Sequence, residues 1–260
     1  MDNVARLLII VAHLRDPVQG CPWDLRQTFA SIAPHTLEEA YELVEAIERG
    51  NTENLKDELG DLLLQVVYHA QIAREQDLFT FDRVAKAVCD KLVRRHPHVF
   101  GDAQYASDQA RDAAWEAEKA RERETRAGHK PSAVDGVAAA LPALTRARKL
   151  QKRAARVGFD WPDRMDIFAK IEEEIAEVRE VLTDDSSTDR IEEEIGDLLF
   201  AVVNLARRSE VDPEGALRAA NRKFERRFRA IEAALAAHNR RPQDCTLDEL
   251  DALWEQVKRQ

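Results

Sequence analysis

The sequence has few cysteines, glycines and prolines and no long apolar run. Its 260 residues include three cysteines, nine glycines and nine prolines. Three cysteines without a CxxC spacing do not make a disulfide framework, so we expect reduced thiols, with Cys89 in the core. No apolar segment reaches the roughly 20 residues of a membrane-spanning helix, and the N-terminus lacks the pattern of a signal peptide. We therefore predict a cytoplasmic protein without membrane association.

The sequence also lacks a positive charge balance. Its formal net charge is −10, whereas a general nucleic-acid-binding protein has a basic surface. Charged residues make up 34% of the chain, and apolar residues recur between them. This pattern argues against disorder and is typical of exposed, charge-rich helices. No nucleic-acid partner is expected.

An acidic signature occurs twice along the chain. Each copy reads EExxE, then a spacer, then ExxD: residues 38–42 with 58–61, and residues 173–177 with 194–197. Further matching motifs surround both copies in the same order, which indicates two copies of one domain. We predict an N-terminal domain over residues 1–126, a linker over 127–142 and a C-terminal domain over 143–260.

Both copies are predicted to contain helices only. Leu37, Tyr41 and Val44 recur at helical spacing, and the segment after Leu55 does the same. No segment alternates with period two for long enough to indicate a sheet. Short turns between amphipathic helices favour antiparallel packing, so the expected fold class is all-α, with two tandem helical-bundle domains whose four-helix cores are completed by dimerisation.

The repeated acids predict a metal site in each domain. Glu174 and Glu177 are one turn apart, as are Glu194 and Asp197, so an antiparallel helix pair brings the four carboxylates together. Hard oxygen ligands favour Mg²⁺, with Mn²⁺ as a substitute. A di-iron site is excluded because no histidine follows a glutamate by three residues. The remaining alternative is a solvated helix face with weak surface ion pairs.

Four basic residues accompany the second acidic copy. Lys170 and Arg190 each precede an acid of the signature by four residues, and Lys223 and Arg227 are four residues apart on the next predicted helix. Carboxylates beside separated cations are typical of a site that binds Mg²⁺ together with a polyphosphate.

Several motifs resemble those of the MazG family of nucleoside triphosphate pyrophosphohydrolases. They are GCPWD (20–24), TLEE (36–39), ELGDLL (58–63), RRHPHVF (94–100), RAARVGFDW (153–161) and NRKFERRF (221–228). The resemblance covers essentially the whole chain in the tandem-domain form. It implies an all-α pyrophosphatase fold, a homodimer, and Mg²⁺-dependent hydrolysis of NTPs and dNTPs, with broad base tolerance, to monophosphate and pyrophosphate.

The resemblance also assigns residues by position. The implied metal ligands are Glu174, Glu177, Glu194 and Asp197, and the implied nucleotide (ATP-binding) contacts are Lys170, Arg190, Lys223, Arg227 and Trp254. The N-terminal counterparts are Glu39, Glu42, Glu58 and Asp61, with Lys91, Arg95 and Trp115. His35 and Asn54 replace the counterparts of Lys170 and Arg190. The C-terminal domain is therefore the expected site of turnover, and the N-terminal site is expected to be weak or inactive.

The expected mechanism is metal-assisted attack of water on a phosphorus. Glu173 or Glu174 is the candidate for activating the water. Lys170, Lys223 and Arg227 are expected to stabilise charge on the phosphates. Trp254 either stacks on the base or packs its helix. The physiological role is then control or cleaning of the nucleotide pool, and the alternative is a helical protein that senses nucleotides or binds partners with little turnover.

Overall fold

The protein is described from a computed structural model that covers residues 2–127, 132–184 and 186–259. Within these ranges the chain forms twelve α-helices, one short 3₁₀ turn and no β-strand. The all-α prediction is therefore confirmed. The chain divides into two compact units, residues 1–119 and residues 120–260, which we call the N-terminal unit and the C-terminal unit.

The N-terminal unit is built around a hairpin of two long helices. Its elements are α1 (Asn3–Leu14), α2 (Pro22–Leu25), α3 (Phe29–Arg49), α4 (Thr52–Glu75), α5 (Phe81–Arg95), α6 (Pro97–Phe100) and the first part of α7 (Asp108–Ala127). α3 and α4 pack along each other, and α1 and α5 both pack against α4. The core of this unit contains Val11, Ile32, Val67, Tyr68 and Ile72.

The turn between α3 and α4 follows directly from its sequence. Gly50 ends α3 with φ +68°, a left-handed conformation that glycine adopts without steric cost. The Asn51 side chain then accepts a hydrogen bond from the Asn54 backbone N–H and caps α4. These two residues reverse the chain, so that α3 and α4 run antiparallel.

The C-terminal unit repeats this hairpin. Its complete helices are α8 (Ala143–Arg156), α9 (Asp166–Thr183), α10 (Thr188–Arg208), α11 (Pro213–Ala236) and α12 (Leu247–Lys258). α9 and α10 pack along each other, α8 packs on α10 and α11, and α11 packs on α12. The largest side chains of the core are Ile167, Val181, Val203, Ile231 and Leu235.

Each hairpin is preceded by a connecting loop, which in the N-terminal unit contains the short helix α2, and an aspartate holds each loop in place. In the N-terminal unit the buried Asp24 accepts a hydrogen bond of 2.8 Å from the Tyr68 hydroxyl. The Arg15 side chain donates to the Asp24 carbonyl and pairs with Glu75 at 2.6 Å. Burial raises the pKa of Tyr68 to about 12, and the hydrogen bond to Asp24 acts in the same direction.

The corresponding loop of the C-terminal unit uses a different partner. Asp160 pairs with Arg207 near the end of α10, and Arg207 is held in turn by Asn204. Arg208 donates to the Pro162 carbonyl at 3.1 Å. Burial acts to raise the pKa of Asp160, but the Arg207 hydrogen bond and charge outweigh it and lower that pKa. Both loops are therefore tied to the second helix of their hairpins.

Both hairpins leave apolar side chains exposed. On α3 and α4 these include Leu37, Tyr41, Ile47, Leu59, Leu63 and Val66. On α10 they include Ile195, Leu199, Phe200 and Val202. None of the described helices is long and apolar enough to cross a membrane.

Several details differ from the sequence-based expectations or extend them. α1 and α8 had not been predicted, and Cys89, expected in the core, is exposed on α5. Residues 128–131 of the predicted linker lie outside the described residues. The contacts divide the chain within α7, near residue 119. The domain boundary at residue 126 stays a prediction.

Candidate active site

Three acids converge on the α9–α10 hairpin of the C-terminal unit. Glu174 lies near the middle of α9, and Glu194 and Asp197 lie one turn apart on α10. One carboxylate oxygen from each lies within 4.8 Å of the other two. The helical spacing and the antiparallel hairpin therefore bring together three of the four predicted metal ligands.

Glu174 is the most deeply buried of these acids, with 4% of its surface exposed. Its Oε1 atom forms an ion pair with Lys170 Nζ at a distance of 2.8 Å. Its Oε2 atom is buried without a hydrogen-bond partner in the described part of the chain. A buried carboxylate oxygen without a partner is costly, so this atom points to a positively charged ligand.

Lys170 connects this acid to its neighbour on α9. Besides Glu174, its ammonium group pairs with Glu173 at 2.9 Å. Hydrogen bonds from Lys170 to Glu174 and Glu173 raise the pKa of the lysine, so it remains protonated at neutral pH. The predicted cation at position 170 therefore lies beside the acidic cluster.

Glu177 lies beside the cluster of three rather than inside it. Burial raises its pKa, and the adjacent carboxylate of Glu174 adds to the shift. Glu194 contributes in the same direction. Glu177 is therefore close enough to interact with two members of the cluster, and its role as a fourth ligand stays a prediction.

The remaining predicted nucleotide contacts lie on α10, α11 and α12. Arg227 places its guanidinium over the Trp254 ring, 5.5 Å from the ring centroid. Lys223 is exposed one turn before Arg227. Arg190 is exposed at the start of α10, and within the described ranges it forms no ion pair with the cluster. The structure thus places Lys170 in direct contact with the acids.

The N-terminal hairpin has an equivalent acidic cluster. Glu39 on α3 and Glu58 and Asp61 on α4 also place their carboxylate oxygens within 4.8 Å of one another. Burial raises the pKa of Glu39 and of Glu58, and the neighbouring acids add to both shifts. The charge of Glu42 contributes to the raised pKa of Glu58, so Glu42 lies beside this cluster as Glu177 does in the other unit.

The surroundings of this second cluster differ. His35, at the position of Lys170, lies 3.5 Å from the exposed Glu38. Asn54, at the position of Arg190, uses its backbone N–H in the cap of α4. Arg95 lies over Trp115 at 5.6 Å, as Arg227 lies over Trp254. The acids and the tryptophan–arginine pair are thus retained, whereas the lysine contact is not.

The residues present fit a divalent cation in the C-terminal cluster. Three carboxylates supply the hard oxygen ligands that Mg²⁺ prefers. The unpartnered Oε2 of Glu174 supplies an independent reason for a cation at this position. The cluster therefore has both the donor set and the uncompensated charge of a metal site.

One aromatic residue beside Trp254 had not been singled out from the sequence. Phe224 is exposed on α11 between Lys223 and Arg227, and its ring centroid lies 5.4 Å from that of Trp254. The available signal was the repeat itself, because the aligned residue after Lys91 is Leu92. An aromatic residue in only one copy marks a difference between the two sites.

Clustered carboxylates beside a paired lysine are typical of sites that bind a divalent cation together with phosphates. Comparisons with known proteins are more specific. The MazG nucleotide pyrophosphohydrolase domain matches residues 27–100 and 165–231, one segment in each unit.

Full-length relatives agree with this match. The chain is 49% identical over 264 residues to the nucleoside triphosphate pyrophosphohydrolase of Escherichia coli strain K12, covering 100% of this chain and 98% of that protein. It is 45% identical over 253 residues to the MazG pyrophosphohydrolase/pyrophosphatase of Thermotoga maritima, covering 97% and 94%. It is also 43% identical to the uncharacterized protein YabN of Bacillus subtilis, of which it covers 50%. The chain belongs to the MazG nucleotide pyrophosphohydrolase family.

Proposed function

We propose that this protein hydrolyses nucleoside triphosphates to nucleoside monophosphates and pyrophosphate in a Mg²⁺-dependent reaction. The substrates are ribo- and deoxynucleotides with broad base tolerance, and turnover occurs mainly in the C-terminal unit. The observation that carries the proposal is the buried Glu174, whose carboxylate joins the acidic cluster to Lys170 and retains one unpartnered oxygen. Family membership and the names of the full-length relatives support the same reaction.

In this mechanism Glu174, Glu194 and Asp197 hold the metal, with Glu177 as the proposed fourth ligand. The Mg²⁺ ion, with Mn²⁺ as a substitute, supplies neutralisation of phosphate charge and alignment of the reacting groups. Lys170 keeps its proton because two carboxylates bind it, and it contributes a fixed positive charge beside the cluster. Lys223, Arg227 and Arg190 contribute further positive charge for the remaining phosphates.

Glu173 is the acid that we propose for activating water. It lies outside the cluster of three, its side chain is exposed, and Lys170 holds it at 2.9 Å. An oriented carboxylate within reach of a bound water accepts its proton as the oxygen attacks phosphorus. The anhydride bond between the α- and β-phosphates breaks, and the bridging oxygen leaves with one of the two products.

A homodimer is the second part of the proposal. The exposed Ile195, Leu199 and Val202 of α10 form an apolar face of the kind that soluble proteins cover by association. Sedimentation equilibrium at micromolar concentration measures the oligomeric state. A double Ile195→Asp, Leu199→Asp variant is expected to shift the mass towards that of one chain. An unchanged mass would argue against this face as the interface.

For the N-terminal unit we propose binding with little turnover. Its three acids remain clustered, but His35 contacts Glu38 where Lys170 contacts Glu174. The protein as a whole is proposed to act on free nucleotides in the cytoplasm, as a regulator or cleaner of the nucleotide pool. The acidic net charge of −10 supports free nucleotides over nucleic acid as its ligands.

The test is an assay of the full chain with each NTP and dNTP in the presence of Mg²⁺. Pyrophosphate and monophosphate in equal amounts are the expected products, and EDTA is expected to stop their formation. If every reaction released orthophosphate or no product at all, the proposed hydrolysis would be wrong and the nucleotide-sensing alternative would gain support.

A further inference from the structure

A groove between α8 and α10 of the C-terminal unit has a volume of about 390 Å³. Pockets that hold small organic ligands have volumes of about 300–1,000 Å³ and apolar walls with a few polar groups. The walls of this groove are formed mainly by Leu144, Ala147 and Leu150 of α8 and by Leu199, Phe200 and Val203 of α10. We call it the α8–α10 groove, and its size and lining are those of a small-molecule site.

A charged residue, Arg146, also lines the groove. Its side chain is half-buried, and its Nε atom is buried without a hydrogen-bond partner in the part of the chain that the structure describes. Two other arginines of α8 have acceptors: Arg148 pairs with Asp212 at 3.1 Å, and Arg153 donates to the Gly136 carbonyl at 3.3 Å. A buried donor without an acceptor costs free energy. The lining of the groove thus includes a cationic group whose buried donor needs an acceptor.

We propose that the α8–α10 groove binds a small ligand with an apolar body and one anionic group. The apolar body packs between the two helices, and the anionic group accepts a charge-assisted hydrogen bond from Arg146 Nε. A neutral apolar ligand would leave this donor buried without an acceptor, and a polyphosphate would lose its hydration against the apolar walls. The lining therefore selects an amphiphilic anion rather than a nucleotide.

Hydrogen bonds around the groove hold its walls in place. Gln151 of α8 donates from Nε2 to the Phe200 carbonyl of α10 at 2.8 Å, which fixes the spacing of the two helices. At the start of α8, the Thr145 hydroxyl donates to Glu214 of α11 at 3.3 Å. The site is thus largely formed before a ligand binds, so that little binding free energy is spent on ordering the protein.

The groove is distinct from the apolar face that we propose for dimerisation. That face contains Ile195, Leu199 and Val202, whereas Phe200 and Val203 line the groove. At 100° per residue, the last two lie about 80–160° around α10 from Ile195 and Val202. Leu199 lies between the two surfaces and borders both. A second copy can therefore cover the dimer face while the groove stays accessible to a small ligand.

The groove shares α10 with the acidic cluster. Glu194 and Asp197 belong to the cluster, and Gly196 between them lines the groove. A ligand that binds the folded groove and not the unfolded chain stabilises the helix that carries these two acids. The inference does not depend on the proposed hydrolysis, because the groove takes none of its lining from the cluster.

The test compares two fluorescent probes that share one ring system. The anionic probe is anilinonaphthalene sulfonate, and the neutral probe, N-phenylnaphthylamine, has the same rings without the sulfonate. The full chain and its Arg146→Met variant are titrated with each probe. The variant is expected to bind the anionic probe about 10- to 100-fold more weakly, the range for loss of a hydrogen bond to a charged group. Its affinity for the neutral probe is expected to stay within about twofold of the wild type.

Three further variants locate the site. Arg146→Lys keeps the charge and is expected to retain most of the affinity for the anionic probe. Lys149→Met removes an exposed charge of α8 that does not line the groove, and it is expected to bind both probes normally. Ala147→Leu fills part of the groove and is expected to weaken both probes together.

Three results would overturn the inference. The first is an unchanged affinity of Arg146→Met for the anionic probe, or a loss that Lys149→Met reproduces. The second is an equal loss for both probes in Arg146→Met, which indicates a structural role. The third is a lower mass of Arg146→Met in sedimentation equilibrium, which would make the groove an interface between copies of the chain. Pyrophosphate release by the wild type is measured separately, so failure of this inference and failure of the proposed hydrolysis are distinguishable.

Discussion

The two units carry the same acids in the same arrangement but differ in the cation beside them. In the C-terminal unit Lys170 bonds to the buried Glu174, whereas in the N-terminal unit His35 lies near Glu38 at the surface. Glu39, the counterpart of Glu174, is only half-buried. The difference shows that the helix hairpin is sufficient to cluster three carboxylates, and that the adjacent basic residues distinguish one cluster from the other.

The largest expected effect comes from removing one acid from each cluster in turn. Glu174→Gln is expected to lower the rate of pyrophosphate release by about 10²- to 10³-fold, the usual effect of losing one preorganised charge-stabilising group. Glu39→Gln, the matched control, is expected to retain most of the activity. Equal losses from the two variants would abolish the proposed distinction between the units.

Replacing Lys170 by histidine, the residue at the equivalent N-terminal position, tests the comparison directly. Lys170→His is expected to lower kcat/KM by about 10- to 100-fold, because a neutral imidazole supplies no permanent charge at the phosphates. Lys170→Arg keeps the charge and is expected to lose less. Steady-state kinetics with several NTPs measures both variants. If the histidine variant matched the wild type, the lysine would not be the distinguishing residue.

The reverse exchange is expected to have a smaller effect. A His35→Lys, Asn54→Arg double variant restores both cations of the N-terminal unit. In a Glu174→Gln background it is expected to bind Mg²⁺–tripolyphosphate about tenfold more tightly than that background alone, because opposite charges favour the bound phosphates. Calorimetry measures the change, and a Lys56→Arg control preserves the charge on α4. Equal affinities with and without the exchange would place the defect of the N-terminal unit elsewhere.

We expect the contacts that hold the two loops before the hairpins to stabilise the fold with opposite dependence on pH. Tyr68→Phe and Asp160→Asn are each expected to lower the free energy of unfolding by about 1–3 kcal/mol at pH 7, because each leaves a partly or fully buried partner unsatisfied. Chemical denaturation monitored by circular dichroism measures both. A change below about 0.5 kcal/mol in either variant would show that its contact does not hold the loop.

The signs follow from the pKa shifts. The pKa of Tyr68 is raised to about 12 in the folded state, so its contribution is complete below its ordinary value of 10.0 and declines as the pH rises towards 12. The pKa of Asp160 is lowered from 3.8, so its contribution is present above that pH and declines as the pH falls through the lower folded value. The difference in free energy of unfolding between wild type and each variant, measured across this pH range, isolates the contribution of that one side chain.

Local sequence patterns were sufficient to predict the hairpins and their acids. Gly50 and Asn51 are turn and cap residues, and Asp212 with Pro213 begins α11 as expected. The spacing of Glu194 and Asp197 places both on one helix face by periodicity alone. These features depend on neighbours within a few residues, which is why the sequence reveals them.

Features that depend on distant neighbours were less predictable. The run from Leu7 to Ala12 is apolar throughout, so it shows no helical period, although it forms part of α1. Cys89 was expected in the core, but α5 contributes no buried residue within the described chain. Periodicity gives Lys170 and Arg190 equivalent positions, because each precedes an acid by four residues. The fold shows in addition that Lys170 contacts Glu174 of the cluster.

The unpartnered oxygen of Glu174 has a consequence for the folding equilibrium as well as for catalysis. A ligand that binds the native state but not the unfolded chain stabilises the fold by RT ln(1 + [L]/Kd), or about 1.4 kcal/mol for each tenfold excess over Kd. On the proposed function that ligand is the metal ion, so the resistance of the C-terminal unit to heat and proteolysis should rise with free Mg²⁺. The supply of the ion would then help to determine how long the enzyme persists in the cell.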